Sequence, residues 1–241
     1  MVTIICTTGI ACSGKTTITN LIKRQIELTY ADHDYPMDTS DAVTRECFVD
    51  VIDTSSTAKK ILETITGIKD TESTKNECYR NALVKIIQVQ EMYDFRFIET
   101  VRHIFDILER VMYFNSVTNV GKDVFIFINV REASVISRFF FFADVMQWRF
   151  VALNITSKSA DSGSDTAVDS TNIDYHKNLI NRRIPDNCII DIENPYLGKD
   201  AMSSKMAERI SEIIEDVTAK IVSLPAVSDW NALYCDDISR A

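Results

Sequence analysis

Residues 2–25 read VTIICTTGIACSGKTTITNLIKRQ. A β-branched apolar run, Val2 to Thr7, is followed by a turn holding Gly9 and Gly14. A helical pattern then extends from Lys15 to Gln25 or slightly beyond, with Ile18, Leu21, Ile22 and Ile26 on one face. A continuous apolar run suits a strand covered on both faces, so the expectation is a parallel sheet between helices.

The rest of the chain repeats the alternation. Phe48 to Ile52 is a short strand, and Asp53, Thr54 and Ser55 stand where they can cap a helix bearing Ala58, Ile61, Leu62 and Ile65, closed by Gly67. Two helical patterns follow. In one, from about Thr74 to Val89, Cys78, Ala82, Ile86 and Val89 form the expected inner stripe. In the other, from about Phe97 to Phe114, that stripe is Val101, Ile104, Phe105, Leu108 and Met112. VFIFINV, Val124 to Val130, is the clearest central strand. A helix with Val135, Ile136 and Phe139 follows, then strands Phe150 to Ile155 and Cys188 to Ile192, then a helix from Met202 to Val222. Strands alternating with helices predict an α/β three-layer sandwich with a mostly parallel central sheet. The organisation read from this is one domain over 1–223, with a polar lid at 156–183, and a C-terminal tail at 224–241.

Gly9-Ile10-Ala11-Cys12-Ser13-Gly14-Lys15-Thr16 is a complete G-x-x-x-x-G-K-T pattern in the strand–turn–helix setting that a phosphate-binding loop requires. The fold expected is accordingly that of the P-loop nucleoside triphosphate hydrolases. Backbone amides of residues 9–17 would enclose phosphates, aided by the helix N-terminus. Lys15 is assigned to the β/γ-phosphate oxygens as an electrostatic catalyst, Thr16 to magnesium and Thr17 to the α-phosphate. Cys12 reads as loop wall rather than nucleophile. ATP and Mg²⁺ are the expected cofactors.

Arg131 follows the central strand at the end where open parallel sheets bind ligands, so it is the candidate for transferred or acceptor phosphate; a surface pair with Glu132 is the alternative. Asp53 occupies the matching edge after the second strand and is a candidate for acceptor or metal-bound water, or for helix capping alone. Arg182 and Arg183, beyond the polar flap, are candidates to close over nucleotide or to pair with surface carboxylates. His33 and His103 sit in no ligand pattern.

Composition narrows the partners. The 241 residues carry a formal charge of −9, with 46% hydrophobic and 25% charged residues. No extended nucleic-acid surface is expected. Asp144 and Arg149 interrupt the most apolar stretch, so no membrane span is expected. Six scattered cysteines without a CxxC pair, and no basic leader before the first apolar run, point to buried thiols in the cytoplasm. There is no N-K-x-D stretch, which argues against a switch GTPase.

GIACSGKTT, KDTESTKNECYRNALVKI, VFIFINVRE and NCIIDIEN together resemble the phage- and bacterial-type deoxynucleoside monophosphate kinase family, over most of residues 1–222. The resemblance implies phosphoryl transfer from ATP to a nucleoside monophosphate, with Arg131 and Arg80 near acceptor phosphate. The chain departs from the family around NALVKI and in a longer, more polar segment at 156–183. Transfer to another small phosphorylated metabolite, or a nucleotide-responsive interaction protein without catalysis, are the alternatives. Oligomeric state is not set by any of these residues.

Overall fold

The computed structural model describes residues 1–9, 13–31, 46–69, 76–118, 122–130, 133–157, 184–195 and 204–224. In chain order the elements are β1 (Val2–Thr8), α1 (Lys15–Ala31), β2 (Glu46–Asp53), α2 (Ser56–Thr66), α3 (Glu77–Met92), α4 (Phe95–Thr118), β3 (Lys122–Asn129), α5 (Ala133–Val145), β4 (Arg149–Ser157), a 3-10 turn (Asp186–Cys188), β5 (Ile189–Asn194) and α6 (Ser204–Ser223). The five strands form one sheet in the order β2-β3-β1-β4-β5. Every pairing is parallel, so the expectation of a mostly parallel sheet is met in full among the described residues.

Alternation along the strands builds two cores. Ile4, Cys6, Ile126, Ile128, Phe150 and Ala152 point to one face, where Ile104, Ile107 and Val111 of α4 and Ile136 and Phe139 of α5 cover them. Ile5, Phe125, Phe127, Val151 and Leu153 point to the other, covered by Ile18, Ile22 and Ile26 of α1 and Ile210, Ile214, Val217 and Ile221 of α6. Both faces of β1 and β3 are thus dry, as continuous apolar runs require. Among the described residues no helix is long and apolar enough to cross a membrane.

Gly67 ends α2 in left-handed backbone (φ +69), its N–H donating to Glu63 O at 2.7 Å. Asn76 starts α3 by accepting from the Tyr79 N–H at 2.9 Å. Three helix faces differ from expectation. On α2 Ala58 and Leu62 are buried, but Ile65 is exposed. On α3 Cys78 and Val89 lie outside, while Tyr79 and Gln90 are the buried residues. On α4 the buried line is Ile104, Ile107 and Val111, whereas Phe105 and Met112 are exposed. These helices carry apolar residues on more than one stripe, so periodicity alone does not choose which stripe meets the sheet.

The thiols also divide. Cys6 and Cys188 are buried, Cys47 is half-buried and Cys78 is exposed; these four are free. Burial pushes the Cys188 thiol up to about 11. Cys12 and Cys235 lie outside the described residues.

Candidate functional site

The carboxyl ends of the five parallel strands share one edge of the sheet, and the glycine-containing turn leaves the central strand, β1, on that edge. Gly9 ends the strand at φ +144, where a Cβ would stand 2.1 Å from the Ile155 carbonyl oxygen of β4. Gly14 has φ +81, and a Cβ there would meet Asn194 Nδ2 at 2.3 Å. Both positions therefore exclude a side chain by backbone angle and by space.

Asn194, the last residue of β5, is buried and donates from Nδ2 to the Ser13 carbonyl oxygen at 3.0 Å. An edge strand two places from β1 is thus tied to Ser13. Lys15 is tied to Gly9, its Nζ donating to Gly9 O at 2.8 Å. Ser13 is buried, and among the described residues its hydroxyl has no hydrogen-bond partner. The Ile18 N–H bonds back to Gly14 O at 2.9 Å, so α1 starts at the turn and its first N–H groups face the mouth. Thr16 and Thr17 are exposed in that first turn. Ile10, Ala11 and Cys12 lie outside the described residues.

Beside the turn, a chain of hydrogen bonds ties the ends of β1, β3 and β2 to α4. The Thr7 hydroxyl donates to the Asn129 side-chain oxygen. Asn129 O accepts from the Thr54 hydroxyl at 2.8 Å. Arg96 then donates through Nη2 to the Thr54 hydroxyl at 2.6 Å and through Nε to Thr54 O at 3.3 Å. Its third contact, Nη1, reaches Glu91 at 2.8 Å. The Arg96 side chain is only 4% exposed, so its charge is held by partners rather than water.

Arg96 also lines a small cleft of about 80 Å³ between the α3–α4 turn and the first turns of α5, with Asp94, Phe97, Ser134 and Arg138. Arg138 pairs with Asp94, a residue in left-handed backbone (φ +54), and lies 5.9 Å from the Phe97 ring centroid. Two guanidinium groups therefore stand on this cleft, each held by a carboxylate.

Asp53 ends β2 close to this network. It accepts from the Ser55 N–H at 2.9 Å, the Ser55 hydroxyl at 2.7 Å and Lys59 Nζ at 2.9 Å. Burial raises its pKa, but the hydrogen bonds from Ser55 and Lys59 and the Lys59 charge outweigh that, and the net shift is downward. Its two oxygens serve the start of α2. Arg80 is exposed near the start of α3; eleven residues along the helix, about 16 Å, separate it from Glu91. The structure does not bring Arg80 to the Arg96 cleft. Arg131, Glu132, Arg182 and Arg183 lie outside the described residues, as do 158–183 of the expected lid; β4 continues through the lid's first two residues, Thr156 and Ser157.

The sequence does not single out Asn194, Arg96 or Asn129, and it marks Thr54 only as a helix-cap candidate. NCIIDIEN and FINVRE contain two of them, yet their contacts depend on register: Asp53 pairs with Asn129, and Ser157 with Asn194. Among the described residues no cluster of three or more His, Cys, Asp or Glu is arranged to hold a metal ion. A magnesium–nucleotide complex needs less, because phosphate oxygens and water supply most ligands. The exposed Thr16 hydroxyl beside the turn fits that donor set. No protein-family model matches this chain, and no curated protein matches it either.

Proposed function

We propose that the chain is a P-loop phosphotransferase that moves the γ-phosphoryl group of ATP onto a nucleoside or deoxynucleoside monophosphate. The observation that carries this reading is the turn after β1. Two glycines stand where no Cβ fits, one lysine bridges the turn, and a helix N-terminus opens at its mouth. The strand order supports it: the chain leaves β1 for β2 on one side and later enters β4 on the other, and ligands bind at the carboxyl ends where such a sheet changes direction.

In this reading Lys15 leaves Gly9 O for the β- and γ-phosphate oxygens and offsets charge as the phosphoryl group moves. Amides of the turn and of the first α1 residues hold the same oxygens. Thr16 would hold magnesium through its hydroxyl, and the ion would neutralise phosphate charge. The acceptor phosphate oxygen is already anionic, so no protein base is needed. Arg131, next in sequence after Val130, is the candidate contact to the transferred group. Arg96 and Arg138 line the cleft beside the end of β2, each paired with a carboxylate, and would meet an acceptor phosphate only by exchanging that partner for it.

One observation favours a second reading. The Arg96–Arg138 cleft, at about 80 Å³, holds a phosphate-sized group but not a nucleobase, which suits a smaller phosphorylated metabolite. One panel separates the two: ATP with ribo- and deoxynucleoside monophosphates, and with phosphorylated sugars and isoprenoids. Diphosphates formed only from nucleotides support the first reading. ATP hydrolysis unaffected by any acceptor removes both.

A further inference from the structure

Among the described residues that line it, the Arg96 cleft carries two guanidinium groups and two carboxylates, paired as Arg96 with Glu91 and Arg138 with Asp94. The two signs are not held alike. Thr54 fixes two of the three Arg96 nitrogens, accepting from Nε at its carbonyl and from Nη2 at its hydroxyl. Thr54 is itself buried and bonded to Asn129 O. The carboxylates reach water, Glu91 being 34% and Asp94 51% exposed. Arg96 therefore keeps its place if Glu91 turns away, and Arg138 keeps the Phe97 ring behind it if Asp94 does.

The start of α5 supplies another wall. Ser134 and Val135, its second and third residues, line the cleft. The first N–H groups of a helix have no partner within it and favour an anion. Two arginines and a helix start around one cavity suit oxyanions, and the oxyanions now on those arginines belong to the chain itself. Resting on the reading of an acceptor phosphate in this cleft, we infer that Glu91 and Asp94 are exchangeable placeholders there, displaced together by the dianionic phosphate of a phosphomonoester.

Charge selects the ligand class. A monoanion, such as a phosphodiester, replaces one carboxylate like for like and gains little by it. A monoester dianion replaces both with a single group, whose three oxygens can meet both guanidinium groups and an α5 N–H at once. The space of about 80 Å³ admits that group alone, so the rest of the ligand stays outside. The carboxylates thus act as a filter: they weaken every anion, and the dianion least. Asp94 can be neutralised without strain, because Asn accepts its left-handed backbone (φ +54) as readily as Asp does.

The test is an NMR titration of the full chain with methyl phosphate at about pH 8, where it is a dianion. A Lys15→Ala background removes the lysine of the turn after β1, and the Ser134 N–H and Arg96 Nε–H signals report on the cleft. Saturable shifts at both are expected, with dimethyl phosphate about tenfold weaker or more. Glu91→Gln and Asp94→Asn should each tighten methyl phosphate about twofold to fivefold, the second serving should the first fold poorly. Arg138→Gln should weaken it about tenfold. With Lys15 restored, Glu91→Gln should lower the acceptor KM by the same factor as the binding constant and leave the ATP KM in place. The expected binding without any phosphoryl transfer supports the cleft inference and removes the kinase reading. Transfer with no methyl phosphate shift at the cleft overturns the inference and leaves the kinase reading standing. Equal affinity for dimethyl phosphate, or carboxylate variants that bind methyl phosphate no better than wild type, also overturns it.

Discussion

Asn194→Ala offers a strict test of how the turn is held. In the native protein Asn194 Nδ2 lies 3.0 Å from Ser13 O, and both residues are buried. Truncation removes the donor and leaves a buried carbonyl unsatisfied, a cost of about 1–3 kcal/mol. If that energy selects the nucleotide-ready turn, an apparent loss of roughly tenfold in ADP affinity corresponds to about 1.4 kcal/mol of it. Asn194→Asp should be worse, since it places a carboxylate oxygen against the same carbonyl. Titration calorimetry with magnesium and ADP reads the affinity, and urea denaturation the stability. Native-like affinity and stability in Asn194→Ala would refute the claim that β5 sets the turn.

The other expectations are briefer. Gly14→Ala should cost about 1–2 kcal/mol from backbone angle alone, plus the clash with Asn194. In an Asn194→Ala background the clash term should vanish, so a double-mutant cycle by denaturation should show favourable coupling. Arg96→Ala should destabilise by about 2–3 kcal/mol, because Thr54 and Glu91 lose a buried partner; thermal unfolding checks this. Asp53, whose pKa is depressed in the fold, adds stability that is fully present above its unfolded value. That contribution fades as pH falls through the lower folded value. The stability gap between wild type and Asp53→Asn should hold above about pH 5 and shrink below about pH 4 in urea titrations. Peptide mapping after brief thiol labelling should find Cys78 modified and Cys6 and Cys188 protected until the protein unfolds.

The strand–turn–helix at residues 2–31 was legible because local signals coincide there: β-branched residues, two glycines and a helical stripe. VFIFINV was equally plain, since only a strand covered on both faces reads so continuously. The outer helices were not. Phe105 and Met112 share apolar character with Ile104 and Val111, and only packing against Phe142 and β3 decides which line turns inward. The supports of the candidate site were hidden for another reason. Thr54, Asn129 and Arg96 are ordinary residues until parallel register aligns Asp53 with Asn129. Asn194 is similar: nothing local separates it from any other asparagine at a strand end, and its meaning comes from a turn 181 positions away.

The role proposed for the turn at residues 9–17 is to hold ATP for transfer to a second phosphate. Its most direct measurement is ³¹P NMR of ATP, magnesium and a panel of nucleoside monophosphates with wild type and Lys15→Ala. A nucleoside diphosphate and ADP are expected in equal amounts, with turnover down by about a hundredfold or more in the variant. Wild-type protein that is folded and binds ATP, yet forms no diphosphate from any monophosphate, would contradict it.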